Sequence, residues 1–232
     1  RAGGYQAQGY GLAFASPVAL IQMSVLLLSF VVQAGVEEIL FRGWMMSALA
    51  RKFNVTTAVV VTSALFAALH YNPRTPWNDV LLSVLFSLFA CLWALRAGSL
   101  WGVMGWHAAW NWLLGVGFEV PVTGFDTHLP ALLVKLTPQG SRYLNGGSDG
   151  PEGSLLCSLF FLLASVWLWW RYHPANCPSS RSDNRCEHPA DTSSRTASPY
   201  WRWRSSPCKA VRRFFSSSSS TVSSLLRVRR NW

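Results

Sequence analysis

Ionisable side chains interrupt three apolar stretches of this chain. Glu37, Glu38 and Arg42 occur in the first stretch, and His70 and His107 occur in two later ones. An ionisable group at membrane depth costs roughly 3 kcal/mol or more unless it faces a cavity or another polar group. Three such sets in separate apolar stretches therefore indicate a functional site rather than independent packing features.

The two adjacent glutamates have different neighbours on a helix. Glu38 and Arg42 are four residues apart and share one face, so the guanidinium can hold the Glu38 carboxylate ionised. Glu37 is rotated by about 100° and shares a face with Gln33 instead. Because Glu37 has no cation four residues away, we predict that Glu37 is the base and that Glu38 with Arg42 supports the site. An ion pair at a helix end is the alternative interpretation.

Each histidine has a partner four residues away. Phe66 lies one turn before His70 and can limit solvent around its imidazole, while His107 lies beside the carboxamide of Asn111. A carboxylate with one imidazole can deprotonate water, and an imidazole with an amide can stabilise an oxyanion, which together are what amide hydrolysis requires. Two simpler roles stay open: hydrogen bonding between helices, and a zinc set of Glu37 with the two histidines.

Five apolar runs must position these groups. Each run has about 17 to 20 residues, the length at which a helix crosses roughly 30 Å of hydrocarbon, and each is apolar nearly all round. Half of the residues are hydrophobic and only 13% are charged. The sequence therefore predicts an all-α fold, a polytopic transmembrane helical bundle. Its expected spans are 17–36, 55–71, 78–95, 99–118 and 154–170.

Loop charges predict an orientation for the bundle. Basic residues follow alternate spans, and loops that carry them are usually cytoplasmic. Residues 118–153, rich in Pro and Gly, then lie outside, and we expect an irregular loop there with a short apolar piece at 129–136. The basic residues used are Arg51, Lys52, Arg96 and Arg171, with Arg74 assigned to the outside.

Residues 171–232 differ in composition from what precedes them. They contain 12 Lys or Arg against 3 acids, which is +9 of the formal net charge of +10. They are rich in Ser, Pro and Arg, and they offer too little apolar area to offset the entropy of ordering. We expect two units, a transmembrane domain at 1–170 and a disordered basic tail at 171–232. The tail can rest on anionic lipid head groups, be solvated without a specific role, or be an out-of-frame extension.

Cysteine usage predicts no metal site or cofactor. Cys91 and Cys157 lie in apolar runs, where a thiol acts as a small apolar group. Cys177, Cys186 and His188 match the spacing of no compact zinc finger. The first residue is Arg1 rather than Met, so we expect the chain to be part of a longer protein with further spans possible before it.

The three motifs together resemble a known family. Glu37-Glu38-x-x-x-Arg42, Phe66-x-x-x-His70 and His107-x-x-x-Asn111, in this order on successive apolar helices, are similar to the CAAX-processing and bacteriocin-processing (CPBP, or Abi) intramembrane proteases. That family includes the type II CAAX prenyl endopeptidases. The resemblance covers roughly residues 17–118 and implies a helical bundle with a water-accessible cavity.

The resemblance also implies roles for the matched residues. Glu37 and His70 would activate the attacking water, His107 and Asn111 would stabilise the oxyanion, and the remaining matches would support the site. On the resemblance, a metal-free glutamate mechanism is preferred to zinc, although the spacing permits both.

The resemblance implies a membrane-anchored peptide or protein substrate and a bacterial-type inner membrane with a cytoplasmic tail. We expect no specific nucleic-acid partner. Two other functions stay open: a non-catalytic immunity or scaffold protein of the same fold, and a proton-coupled transporter. A transporter should show internal repetition of spans, and the sequence contains none that we detect.

Overall fold

The protein is mostly helical. A computed structural model describes residues 4–71, 73 and 76–171. The elements in chain order are β1 (Gly4–Tyr10), a 3₁₀ turn (Leu12–Ala15), α1 (Pro17–Glu38), a π-helical segment (Ile39–Met45), α2 (Met46–Lys52), α3 (Val55–His70), α4 (Trp77–Ala97), α5 (Trp101–Trp112), a second π-helical segment (Leu113–Gly117), β2 (Val134–Gln139), α6 (Arg142–Asn145), 3₁₀ turns at Gly147–Asp149 and Pro151–Gly153, and α7 (Leu155–Arg171).

Local sequence explains where the long helices begin and end. The Ser16 side chain accepts a hydrogen bond from the Ala19 amide at 3.3 Å, and Pro17 occupies the first turn of α1. The Asn54 side chain accepts from the Thr57 amide at 2.8 Å and begins α3. Gly98 ends α4 with φ of 64°, a left-handed conformation that glycine adopts without steric cost.

Each predicted span coincides with a helix, but the first helix is longer than expected. Pro17–Lys52 runs without a break for 36 residues, about 54 Å, so the basic pair at 51–52 ends this helix rather than following it. Pro17–Lys52 and Trp77–Ala97 are long and apolar enough to span a membrane, and Val55–His70 and Leu155–Arg171 are shorter apolar helices. The count of five spans therefore remains a prediction.

Residues 118–153 are more ordered than the sequence indicates. Their strand β2 pairs antiparallel with β1, with Gly4 opposite Gln139 and Tyr10 opposite Val134. This pairing joins segments more than 100 residues apart, which local sequence cannot predict. The carboxylate of Glu152, which is buried, accepts from Trp110 Nε1 at 2.8 Å and from the Thr123 amide at 2.6 Å. The loop is thus fastened to α5.

The loop at 118–153 lies at one end of the helical bundle, and Arg96 and Arg171 lie at the other end. Asn78, at the start of α4, donates from Nδ2 to the Gly153 carbonyl at 2.5 Å, so the loop covers this end. At the other end the Arg96 guanidinium lies 5.5 Å from the Trp167 ring, close to Arg171. This arrangement agrees with the sequence pattern in which basic residues follow alternate predicted spans. Arg74 and the tail at 172–232 lie outside the described residues.

Close packing of α1 against α5 brings two of the motifs together. A Cβ atom at Gly35 would lie 3.3 Å from Met104 Cε, and one at Gly43 would lie 3.1 Å from Leu100 Cδ1. Both distances are tighter than ordinary van der Waals contact, so these glycines permit the close approach. Many large apolar side chains point away from the core, as expected for helices in contact with lipid. Examples are Val18, Ile21, Val25, Leu28, Leu156, Leu163 and Trp170.

Candidate functional site

The centre of the bundle contains a buried group of ionisable side chains, here called the Glu38 cluster (Glu38, Arg42 and His107). Glu38 Oε1 accepts from Arg42 Nη1 at 3.0 Å and from His107 Nδ1 at 2.9 Å. Glu38 and Arg42 are both 0% exposed, and His107 is 5% exposed. The four-residue spacing predicted the contact with Arg42. The contact with His107 joins α1 to α5 and had no signal in the sequence.

Aromatic rings surround the Arg42 cation. Its guanidinium carbon lies 4.5 Å from the centroid of the Phe66 ring and 5.8 Å from that of Phe86. Phe86 also contacts His107 edge-on, with the two ring centroids 4.8 Å apart. Rings at these distances attract a cation through their π faces, which offsets part of the cost of burying the charge. Phe66 therefore supports the Glu38 cluster as well as its own histidine.

His70 is held by its own helix. Its ring stacks on Phe66, with ring centroids 4.3 Å apart and planes inclined by 27°. Its Nδ1 lies 2.8 Å from the Phe66 carbonyl oxygen. Because a carbonyl only accepts hydrogen bonds, Nδ1 donates, and the lone pair of the neutral ring lies on Nε2. His70 is the last residue of α3, so its imidazole lies at the end of that helix.

A second group lies one residue away on α1 and is here called the Glu37 cluster (Gln33, Glu37 and Asn111). Gln33 Nε2 donates to Glu37 Oε1 at 2.7 Å, and Asn111 Nδ2 donates to Gln33 Oε1 at 3.4 Å. Glu37 is half-buried, whereas Asn111 is buried. Glu37 Oε2 is buried and has no hydrogen-bond partner among the described residues, and the same is true of Glu38 Oε2. The two glutamates thus differ in the partners of Oε1 rather than in those of Oε2.

The structure brings the predicted residues together in two groups rather than one. His107 contacts Glu38 and Asn111 contacts Gln33, although the two residues are four apart on α5. The hydrogen bond described for His70 stays within α3, and its link to the others runs through the rings of Phe66 and Phe86, whose centroids are 5.7 Å apart.

Two π-helical segments lie beside the site. One begins directly after Glu38 and contains Arg42, and the other begins two residues after Asn111. Wide turns of this kind are frequent at functional sites, since they change the direction in which the following side chains point. Neither segment had a signal in the sequence.

Gln33 is the site residue that sequence reasoning left without a role. Its four-residue spacing from Glu37 was the available signal, but the contact with Asn111 depends on how α1 and α5 pack. Among residues 4–71, 73 and 76–171, no three His, Cys, Asp or Glu side chains form a group that could hold a metal ion.

Comparison with known proteins yields one match. No curated protein and no solved structure is similar to the chain at the level that we accept as significant. A family model described as type II CAAX prenyl endopeptidase Rce1-like matches residues 19–113. The matched segment contains both clusters together with Phe66 and His70, and it ends just after α5. Residues 19–113 are therefore similar to the Rce1-like family of type II CAAX prenyl endopeptidases.

Proposed function

We propose that this protein is an intramembrane endopeptidase that hydrolyses peptide bonds of membrane-associated substrates with a water molecule activated by Glu37 and His70. The family supports a CAAX-type intramembrane protease. The observation that carries the finer proposal is the difference between the two adjacent glutamates. Glu38 is held by Arg42 and His107, whereas Glu37 is more accessible and meets only the neutral amide of Gln33.

The first step is attack of water on the scissile carbonyl. Glu37 Oε2 accepts one proton of the water while the water oxygen bonds to the carbonyl carbon, and the carbonyl π electrons move to oxygen. The neutral imidazole of His70, with its lone pair on Nε2, orients the water or takes up the proton. The carbon–nitrogen bond then breaks, and the proton held by the base passes to the departing amine. Mass and charge balance without any other reactant.

The negatively charged oxygen that forms from the scissile carbonyl needs hydrogen-bond donors on the side opposite the attacking water. Asn111 uses one amide hydrogen toward Gln33 and retains a second for the oxyanion. Since the Glu38 carboxylate only accepts, His107 Nδ1 donates to it, and we assign Nε2 of the same ring as a second donor when it carries a proton. In a site poor in water such donors act more strongly than in solution. Glu38 and Arg42 hold the His107 ring, and Phe66 holds that of His70.

No metal enters this proposal. The resemblance to the family favours this mechanism over a zinc set of Glu37, His70 and His107. We also propose that the protein lies in a bacterial-type cell membrane, with its basic end and the tail at 171–232 in the cytoplasm. The basic residues at the ends of α2, α4 and α7 support this orientation.

The test is cleavage of a library of quenched, membrane-anchored peptides, with and without a prenyl group, by purified protein in liposomes. We expect cleavage of a subset by the wild type and none by Glu37→Gln, which preserves shape and removes the base. Asp126→Asn is the matched control, because it also removes one carboxylate charge but at an exposed loop position.

Equal cleavage by wild type and Glu37→Gln would contradict the proposal. Binding of peptides without cleavage by either protein would favour the non-catalytic alternative. Proton-coupled uptake of a solute that requires Glu37 would favour the transporter.

A further inference from the structure

Gln33 is a polar side chain in an otherwise apolar part of α1. It lies between Val32 and Ala34, and its side chain is exposed on the bundle surface. An amide at membrane depth carries a desolvation cost of a few kcal/mol unless both its ends are hydrogen-bonded. Both ends of Gln33 are bonded, and the two partners are Glu37 and Asn111. The amide is thus satisfied by the residues proposed to carry the reaction.

The direction of these bonds determines what Gln33 can do. An amide nitrogen only donates and an amide oxygen only accepts, so the order Asn111 to Gln33 to Glu37 is the arrangement in which every bond is satisfied. One oxygen of Glu37 is occupied by Gln33, which leaves the buried Oε2 without a partner among the described residues. One hydrogen of Asn111 is occupied by Gln33, which leaves the other for the oxyanion. The same amide therefore orients groups on two helices.

We propose that Gln33 is a positioning residue that couples the base Glu37 on α1 to the oxyanion donor Asn111 on α5. This inference rests on the proposed function and names a residue outside the three motifs. Gln33 does not touch the reacting atoms. It fixes the rotamers of Glu37 and Asn111 relative to each other, and misplacement of reacting groups by about 1 Å can cost 100-fold in rate.

The test is Gln33→Met in purified protein assayed on a peptide that the wild type cleaves. Met has a similar length, no donor and only a weakly accepting sulfur, so the change removes the bond to Glu37 and weakens or removes the bond from Asn111 with little change in volume. We expect kcat to fall about 10- to 100-fold with KM within about twofold, because only groups that act in the transition state are disturbed. The melting temperature should stay close to that of the wild type.

Gln22→Met is the matched control. Gln22 lies three turns earlier on the same helix and close to the same face, is also exposed, and makes no side-chain hydrogen bond among the described residues. We expect wild-type kcat and KM for this variant. A similar loss of activity in both variants would show a general effect of removing an amide from α1 and would overturn the inference.

A double-mutant cycle separates positioning from packing. If Gln33 acts through Asn111, Gln33→Met should lower kcat less in an Asn111→Ala background than in the wild type. The kcat of the double variant should then be about tenfold higher than the two single effects multiplied together would give. Fully additive losses would overturn the inference, as would wild-type kcat in Gln33→Met. If Glu37→Gln is inactive, either of these two results contradicts the role of Gln33 but not the proposed function. If Glu37→Gln is active, the proposed function itself is contradicted.

Discussion

The Glu37 cluster and the Glu38 cluster are built from adjacent residues of one helix, yet their environments differ. The Glu38 cluster is buried, and one carboxylate oxygen of Glu38 accepts hydrogen bonds from both Arg42 and His107. In the Glu37 cluster the half-buried Glu37 carboxylate accepts a hydrogen bond from the neutral amide of Gln33, which in turn accepts one from the amide of Asn111. A rotation of about 100° between consecutive helical residues is enough to place one carboxylate beside Arg42 and His107 and the next beside the amide of Gln33.

The largest effect expected from this difference is on catalysis. Glu37→Gln should lower kcat by about 100- to 10,000-fold, the usual contribution of a general base. The melting temperature should change little, because the amide of the variant can keep a hydrogen bond with Gln33. Peptide cleavage and thermal unfolding in the same detergent check this. Loss of folding in this variant would show that the two clusters do not differ in the way described.

The opposite pattern is expected for the neighbouring residue. Glu38→Gln leaves the Arg42 cation without its carboxylate in a fully buried position, and breaking such a pair typically costs about 3–5 kcal/mol. The measurement is thermal or denaturant unfolding, with Asp126→Asn as a control at a half-exposed ion pair, where little change is expected. If Glu38→Gln and Asp126→Asn are equally stable, the Glu38 cluster does not have the structural role assigned to it.

Asn111 tests whether the Glu37 cluster contains the oxyanion donor. Asn111→Ala should reduce kcat by about 100- to 1,000-fold with little change in KM, since the lost hydrogen bond forms only in the transition state. Steady-state kinetics on a single cleaved peptide make the measurement. An increase in KM with unchanged kcat would instead indicate that Asn111 binds the substrate in its ground state.

The smallest effect is expected from removing metal ions. In the glutamate mechanism a chelator should leave activity unchanged, and elemental analysis of the purified protein should find well under one equivalent of zinc. A catalytic zinc site would give about one equivalent, lost together with activity on chelation. That result would mean that Glu37 and the two histidines come together around a metal and that the two clusters form one site.

Much of the helical framework could be predicted from the sequence because its signals are local. Apolar runs of spanning length coincide with α1, α3, α4 and α7, and the cap residues Ser16 and Asn54 lie where helices begin. The sheet between β1 and β2 could not be predicted, because its strands are more than 100 residues apart and are joined only by tertiary packing. The first helix extends beyond the apolar run at 17–36, because helical turns continue through the polar Glu-Glu-x-x-x-Arg motif to Lys52.

The candidate site divides in the same way. The spacing of Glu38 and Arg42, and of Phe66 and His70, correctly placed each pair in contact, because residues four apart meet on any helix. The partners of His107 and Asn111 could not be found this way, since each is on another helix. Their catalytic roles remain predictions for the variants above.

The sequence by itself determined the resemblance to the family and which side chains are available for chemistry. The family motifs are short local patterns on helices, and a residue's type and its neighbours one turn away do not depend on the rest of the fold. Only the tertiary structure decided which glutamate is buried with Arg42 and His107 and which meets Gln33 and Asn111. The reason is physical: contacts between α1 and α5 depend on the close approach at Gly35 and on the rotation of each helix about its axis, and the spacing of residues along one chain segment determines neither.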